Sequence, residues 1–98
     1  MLDKMKQLME MQKKMQEMKR ALEATVFDVE SADRLVKLTM NGAQEVKGVS
    51  IQKEPSQLDK ALLERAIQDA YNRGLKRSQQ IAADKMKEIT GFNIPGLM

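Results

Sequence analysis

Hydrophobic and polar residues alternate in the middle of the chain, over residues 35–53, whereas the segments on either side show helical spacing. Val36, Leu38 and Met40 alternate with polar residues, which is the period-two pattern of a strand with one buried face. Asn41-Gly42 follows, and this dipeptide favours a tight hairpin because it tolerates positive φ at both central positions of the turn. The pattern therefore predicts two antiparallel strands that are joined at Asn41-Gly42.

The return strand contains a shift in its alternation. Val46 lies on one parity, while Val49 and Ile51 lie on the other. A β-bulge at Lys47-Gly48 would restore a single apolar face, and the alternative is an irregular hairpin with a flexible glycine. Residues 25–29 alternate in the same way and predict a third strand, so we expect a three-stranded antiparallel meander covered on one face by helices.

Apolar residues of the N-terminal segment recur at steps of three and four, which predicts a helix over residues 1–24 with a short coiled-coil seam. The seam consists of Leu8, Met11, Met15, Met18 and Leu22. Met1, Met5 and Met9 widen the apolar surface beside it. Methionine packs adaptably, so this surface is either ordinary core or a contact site for another protein, and we expect core.

The C-terminal segment predicts a second, longer helix over residues 56–90, followed by an irregular tail over residues 91–98. Residues 56–59 resemble a capping box with Asp in place of Glu, and Gly91 provides the stop. The sequence places Leu63, Ile67, Ala70, Gly74 and Ile81 on one apolar face, with Leu58, Leu62 and Ala66 on a second. Gly74 costs this helix about 1 kcal/mol relative to Ala, which close approach of the first helix would explain, with a simply tolerated glycine as the alternative.

Basic residues form two candidate surfaces on the predicted helices. Lys6, Lys13 and Arg20 recur at intervals of seven, but Asp3, Glu10 and Glu17 recur beside them, so we expect an ion-paired, solvated face. Arg73, Lys76, Arg77 and Lys87 lie on the second helix, and no acidic residue occurs from position 70 to 83. This second surface is the better candidate for binding an anion, with a merely solvated helix face as the alternative.

Composition excludes several kinds of site. The 98 residues include no Cys and no His, so the chain has no disulfide, thiol nucleophile, imidazole base or zinc site. The acidic residues at positions 28, 30 and 33 lack the length and glycine of a calcium loop. A net charge of +3 permits nucleic-acid binding, and no segment predicts a membrane span or a signal peptide. We expect a cytoplasmic protein in a single domain, without cofactor, metal or small-molecule substrate.

The predicted helices are longer than the predicted sheet. They would span on the order of 35 and 50 Å, whereas strands of this kind cover about 20 to 27 Å. The helices should therefore overhang the sheet, and pairing of two copies would give a molecule with two arms. The residues that we assign to dimer or core packing are Leu8, Met11, Met15, Met18, Leu22, Val36, Leu38, Met40, Val49, Ile51 and Ile67.

The order of these segments resembles the YbaB/EbfC family of bacterial nucleoid-associated proteins over essentially the whole chain. A Met/Lys/Gln-rich helix precedes LVKLTMNGAQEVKGVSI, which LLERAIQDAYNRGLKRSQQ and a Pro-Gly tail follow. The resemblance implies an α+β fold with the order α-β-β-β-α, in a tweezer-like homodimer that binds DNA through its terminal helices and alters its conformation. The chain departs from the family at residues 31–34, which lack the usual glycines, and at Arg73, where the family often has Asp.

We therefore predict a homodimer that binds duplex DNA with little sequence preference and acts at the nucleoid. The candidate phosphate-binding residues are Lys6, Lys13, Arg20, Arg73, Lys76, Arg77 and Lys87. Three aromatic residues are too few for the stacking platforms of single-strand binders. The alternative function is an interaction scaffold or chaperone-like factor that uses the Met-rich helix. An enzyme is the third class, but no acid/base pair falls in a recognisable motif.

Overall fold

A computed structural model of the chain describes residues 2–90. The elements are α1 (Leu2–Ala24), β1 (Val26–Glu30), β2 (Val36–Asn41), β3 (Val46–Ile51), a short 3-10 turn (Pro55–Gln57) and α2 (Lys60–Thr90). The strands form one antiparallel sheet in the order β1-β2-β3. The predicted α+β fold with the order α-β-β-β-α is thus confirmed. The tail predicted over residues 91–98 lies outside the described residues.

The β2–β3 hairpin contains the predicted bulge. Thr39 pairs with Gly48 and Met40 pairs with Val46, so Lys47 is the extra residue on β3. The bulge returns Val46 to the face of the sheet that Val49 and Ile51 share, because Met40, Leu38 and Val36 are the respective partners of these residues. All the apolar residues of β2 and β3 therefore point to one side, which we call the inner face.

The predicted two-residue turn at Asn41-Gly42 is wrong. The chain reverses over residues 42–45, and the positive φ of 65° belongs to Gln44. The Asn41 side chain holds this wider loop: its Oδ1 accepts the amides of Ala43 at 2.9 Å and Glu45 at 3.1 Å, and its Nδ2 donates to Glu45 Oε1 at 2.8 Å. Asn41 is fully buried, so it acts through its side-chain amide and not through a left-handed backbone.

The hydrophobic core lies between the inner face of the sheet and one side of α2. From the sheet it contains Phe27, Val36, Leu38 and Met40, and from the loop before β2 it contains Leu35. From α2 it contains Ala66 and Ala70, and the buried line continues through Gly74 and Ser78. These four small residues at intervals of four bring the α2 backbone close to the strands.

Gly74 marks the point of closest approach, but to the sheet and not to the first helix as the sequence suggested. A Cβ at this position would collide with the Met40 sulfur and would lie 3.1 Å from Val29 Cγ1. The expected explanation of the glycine, a close neighbour, is therefore right, and the neighbour is different. The reason is that α2 crosses the sheet at this position before it reaches α1.

Two further expectations for α2 need correction. The helix begins at Lys60 and not at Ser56, because Asp59 is its N-cap: Asp59 Oδ1 accepts the Ala61 amide at 2.9 Å. Ile67, which the spacing placed on the core face, is exposed, and Ala66 takes the central position. A core built on small residues shifts the buried line of a helix away from its largest apolar side chains.

Helix α1 projects from the rest of the molecule. None of its residues is buried, so the core packing expected for Leu8, Met11, Met15, Met5 and Met9 does not occur within one chain. Only Met18, Ala21 and Leu22 near its end are half-buried. The described shape measures 67 × 23 × 16 Å, and the radius of gyration of 18.1 Å exceeds the roughly 13 Å of a compact domain of this length. The predicted overhang of the helices is therefore present.

Candidate nucleic-acid interface

The basic residues of α1 are free of ion pairs within the described chain. Lys6, Lys13 and Arg20 are exposed, and no salt bridge among residues 2–90 involves any residue of α1. The expected pairing with Asp3, Glu10 and Glu17 is therefore wrong. At 100° per residue, the heptad spacing keeps the three bases on the side of the helix opposite the apolar seam. They form a row of solvated cations along the projecting part of the molecule.

Arg73 is already engaged by a carboxylate. Its Nε lies 3.1 Å from Asp69 Oδ1, one helical turn earlier. Asp69 Oδ2 also accepts the Ala32 amide at 2.8 Å, which connects α2 to the loop between β1 and β2. The Ala32 amide, and next the Arg73 guanidinium, hold the pKa of Asp69 below its ordinary value. Arg73 therefore has a structural role that its position on a basic surface did not reveal.

Arg77 is engaged by an aromatic ring. Its guanidinium carbon lies 5.4 Å from the centroid of the Phe27 ring, within the range of a cation–π contact. Lys76 and Lys87, in contrast, are exposed and make no ion pair with any described residue. Within the predicted α2 surface, these two lysines are the cations most available to an external anion.

The structure brings the C-terminal end of α1 and the second half of α2 together beside the β2–β3 loop. A Cβ on Gly42 would lie 3.1 Å from Leu22 of α1 and 2.9 Å from Ile81 of α2, so the helices meet there. Lys85, Met86 and Ile89 are half-buried further along α2, as expected if that part of α2 lies beside α1. The heptad bases of α1 and the free lysines of α2 thus belong to a single helical assembly.

Charge is distributed unevenly between this assembly and the sheet. We define the basic end as α1 plus residues 73–90. It carries eleven basic and six acidic residues, a net charge of +5, whereas residues 25–72 carry six basic and eight acidic residues, a net charge of −2. Sequence analysis missed this division, although a count of charge by predicted segment would have shown it, and it also left out the exposed Lys4, Lys14 and Lys19 on α1.

A second surface, apolar and uncharged, lies along β3. Val46, Val49 and Ile51 share the inner face with the core residues of β2, but α2 packs on β1 and β2, and Val49 remains 63 % exposed. On α2, Ile67 and Tyr71 are also exposed. They lie on roughly the opposite side of the helix from Asp69, whose carboxylate accepts the Ala32 amide in the loop between β1 and β2. We call these five residues the β3 groove.

The outer face of the sheet is polar by comparison. Asp28 Oδ1 accepts the Thr39 hydroxyl at 2.7 Å, and Lys37 Nζ lies 3.5 Å from Asp28 Oδ2. The Thr39 hydroxyl is the main reason that the pKa of Asp28 is lowered, and Lys37 adds to it. This face is therefore satisfied in contact with water, whereas the β3 groove is not.

Sites for metals or membranes do not occur in the part of the chain that the structure describes. Residues 2–90 contain no group of three or more metal-ligating side chains. Among the same residues, neither helix is long and apolar enough to cross a bilayer.

Comparison with known proteins places the chain in a family. The sequence profile of the YbaB/EbfC DNA-binding family matches residues 1–92. A nucleoid-associated protein of Syntrophobacter fumaroxidans is 34% identical over 97 residues, covering 95% of this chain and 86% of its own. A nucleoid-associated protein of Methylococcus capsulatus is also 34% identical, over 98 residues, covering 93% of this chain and 92% of its own.

A solved structure shows the same fold. The crystal structure of an uncharacterised protein of Helicobacter pylori superposes with a TM-score of 0.64 at 22% identity, covering 89% of this chain and 98% of that one. The two structures share the fold over most of the chain. With the profile match over residues 1–92, these similarities show that the chain belongs to the YbaB/EbfC family of DNA-binding proteins.

Proposed function

We propose that this protein binds duplex DNA as a homodimer, through phosphate contacts with low sequence specificity, and thereby alters the conformation of the DNA and the expression of nearby genes. It acts at the nucleoid, in the cytoplasm, and neither catalysis nor a cofactor or small-molecule substrate is part of this function. The observation that carries the proposal is the charge division: +5 on the basic end against −2 on residues 25–72.

The kind of cation on the basic end favours phosphate contact over base recognition. Lys6, Lys13, Lys76 and Lys87 are exposed side chains on helix surfaces, without partners in residues 2–90 that would fix their positions. Mobile ammonium groups act as point charges toward phosphate and carry little sequence information. Binding of this kind releases counterions, so affinity falls steeply with salt.

The β3 groove supports dimerisation. A lone β3 edge with exposed Val49 and Ile51 beside Ile67 leaves apolar surface and unpaired backbone groups in water. A second copy seated on this groove would cover both, and Val49, Ile51 and Ile67 then pack at the dimer interface. Each copy contributes one projecting basic end, so the dimer presents two to the same duplex.

The DNA proposal is tested by charge reversal on the free lysines. Lys6→Glu with Lys76→Glu removes two cations that make no ion pair within residues 2–90, so the fold should be retained. The matched control is Lys53→Glu with Lys60→Glu, which makes the same charge change outside the basic end. The Lys60 side chain is 93% exposed, and its ion pair with Glu64, at 4.0 Å, lies on the surface. Arg73 and Arg77 are left intact because they contact Asp69 and Phe27.

We expect the basic-end variant to bind several unrelated duplexes more weakly than the control variant in gel-shift titrations. The slope of log affinity against log salt should become shallower by about 0.9 for each phosphate that the variant no longer neutralises. Equal affinities for the two variants at low salt would show that the basic end does not bind the DNA.

The dimer proposal is tested by a charge in the β3 groove. Val49→Glu should convert the protein to a monomer in light scattering, while Ser50→Glu, on the outer face of the same strand, should leave the dimer intact. Both positions are exposed, so neither variant should unfold the chain. If Val49→Glu remains dimeric, or the unmodified protein is a monomer, the groove is not the interface.

A second candidate function is a protein-interaction scaffold, favoured by the exposed apolar seam of α1. Such a protein would capture partners with little dependence on salt and would leave DNA unretarded. Affinity capture with and without nuclease separates the two functions, because partners held through DNA are released after digestion.

A further inference from the structure

Methionine is concentrated at the start of the chain and is its only sulfur-containing residue. Six of the nine methionines lie within residues 1–24, and the sequence has no Cys. Four of the six, which we call the exposed methionines of α1, are between 63 and 68 % exposed: Met5, Met9, Met11 and Met15. Met40, in contrast, is fully buried in the core. The chain therefore presents a group of accessible thioether sulfurs on one helix and keeps another thioether away from solvent.

The part of α1 that carries these side chains gains little from tertiary packing. Residues 2–17 are all exposed, and no salt bridge among residues 2–90 involves any of them. Most helical stability in proteins comes from packing of an apolar face, and helices of about 12 to 15 residues are marginal without it. Residues 2–17 therefore lie close to the balance between helix and coil.

Apolar pairs along this part of the helix are the side-chain contacts that remain to stabilise it. Side chains three or four positions apart are neighbours on a helix surface, and apolar pairs of this kind favour the helix. Met5–Met9, Leu8–Met11 and Met11–Met15 have this spacing. Every apolar pair of this spacing within residues 2–17 contains a methionine. The stability of this part of α1 thus depends on the same side chains that solvent reaches.

We propose that the exposed methionines of α1 form an oxidation site, and that their conversion to sulfoxides unwinds residues 2–17. The oxidant is a two-electron oxygen donor of the peroxide class. One peroxide oxygen is transferred to the thioether sulfur, so that an S–O bond forms, the O–O bond breaks and the second oxygen leaves as water. The sulfur is oxidised by two electrons, and the peroxide is reduced by the same two.

Sulfoxide formation acts on the helix through the apolar pairs. It replaces a flexible apolar side chain with a polar, chiral one, which no longer gains from contact with an apolar neighbour. Oxidation of all four side chains removes every such pair in residues 2–17 at once. Lys6 and Lys13 lie on the same stretch, so the change affects the basic end. The oxidation itself depends neither on the DNA proposal nor on dimerisation through the β3 groove.

The site is tested by measuring oxygen uptake at each methionine. The purified protein is treated with hydrogen peroxide under native conditions, and digestion followed by mass spectrometry gives a rate for each position. We expect the exposed methionines of α1 to react at least about tenfold faster than Met40, whose sulfur is reached only when the fold opens. Similar rates at Met40 and on α1 would overturn the proposal.

The unwinding is tested by circular dichroism of the same samples. Helix α1 has 23 residues and α2 has 31, so complete unwinding of residues 2–17 would remove about 30% of the helical signal. We expect a loss of that order once the four side chains are oxidised. The signal should recover after treatment with methionine sulfoxide reductases and a dithiol, which returns the oxygen as water. An unchanged helical signal at full conversion would overturn the proposal.

Two variants assign the loss of helix to α1. The first carries Met5→Leu, Met9→Leu, Met11→Leu and Met15→Leu, because leucine matches methionine in helix propensity and peroxide does not oxidise it. The second, Met40→Leu, is the control and leaves α1 unchanged. We expect the first variant to keep its helical signal in peroxide and the second to lose as much as the unmodified protein. The reverse result would place the effect in the core and overturn the proposal.

Discussion

Replacement of Gly74 by alanine tests the packing that positions α2 on the sheet. In an isolated helix the change would stabilise by about 1 kcal/mol, because glycine is the poorer helix former. In this protein the new Cβ would collide with the Met40 sulfur and approach Val29 Cγ1 to 3.1 Å. Met40 is fully buried, so its sulfur cannot move into solvent. The two effects oppose each other.

The packing effect should be the larger one. Overpacking of a close-packed core costs about 1 to 3 kcal/mol. An overlap with the buried Met40 sulfur, together with a tight 3.1 Å contact to Val29 Cγ1, belongs near the upper value. After the gain in helix propensity, we expect a net loss of about 2 kcal/mol in the free energy of unfolding. For a domain of this size, that loss lowers Tm by roughly 8 to 16 °C.

The assay is thermal and urea denaturation at a fixed protein concentration, followed by circular dichroism. Gly48→Ala is the control, because its Cβ would lie 3.7 Å from Thr39 Cβ, an ordinary contact. In a double-mutant cycle, Met40→Ala should relieve the overlap, so that Gly74→Ala costs less in that background than alone. A rise in Tm for Gly74→Ala, as propensity alone requires, would refute the close approach of α2 to the sheet.

Two further predictions concern polar contacts. Asn41→Ala should lower the free energy of unfolding by about 2 kcal/mol in urea titrations, because it leaves the amides of Ala43 and Glu45 without their acceptor. Gln44→Ala in the same loop should have little effect. Equal losses for the two variants would contradict the role of the Asn41 side chain in holding the loop. The pKa values of four carboxyls, Asp28, Asp33, Glu45 and Asp69, lie below their ordinary values of 3.8 for Asp and 4.5 for Glu. A carboxyl whose pKa is lowered in the folded state stabilises the fold at any pH above its ordinary pKa. That stabilisation is lost as pH falls through the lowered pKa, so Tm should stay level at neutral pH and fall below about pH 4. Asp69→Asn should make that acid decline shallower, and an unchanged decline would show that the Ala32 and Arg73 contacts do not stabilise the charged form.

The site was only partly predictable from the sequence. Spacing identified the basic residues, since heptad intervals and a run without acids are visible without a structure. It did not distinguish the engaged cations, Arg73 on Asp69 and Arg77 over Phe27, from the free ones, Lys76 and Lys87. That distinction depends on which side of α2 faces β1, and helical spacing leaves this open.

The local pattern alone determined the order of elements, the parity of the strands and the bulge at Lys47, because each depends on neighbouring residues and on the period of a strand or helix. The tertiary structure decided which apolar surfaces are covered. Small residues on α2 bring it onto β1 and β2, which buries Met40 but leaves Val49 and the seam of α1 in water. Both kinds of surface look alike in a sequence, because hydrophobic spacing shows that a side chain requires a partner and not whether the same chain supplies it.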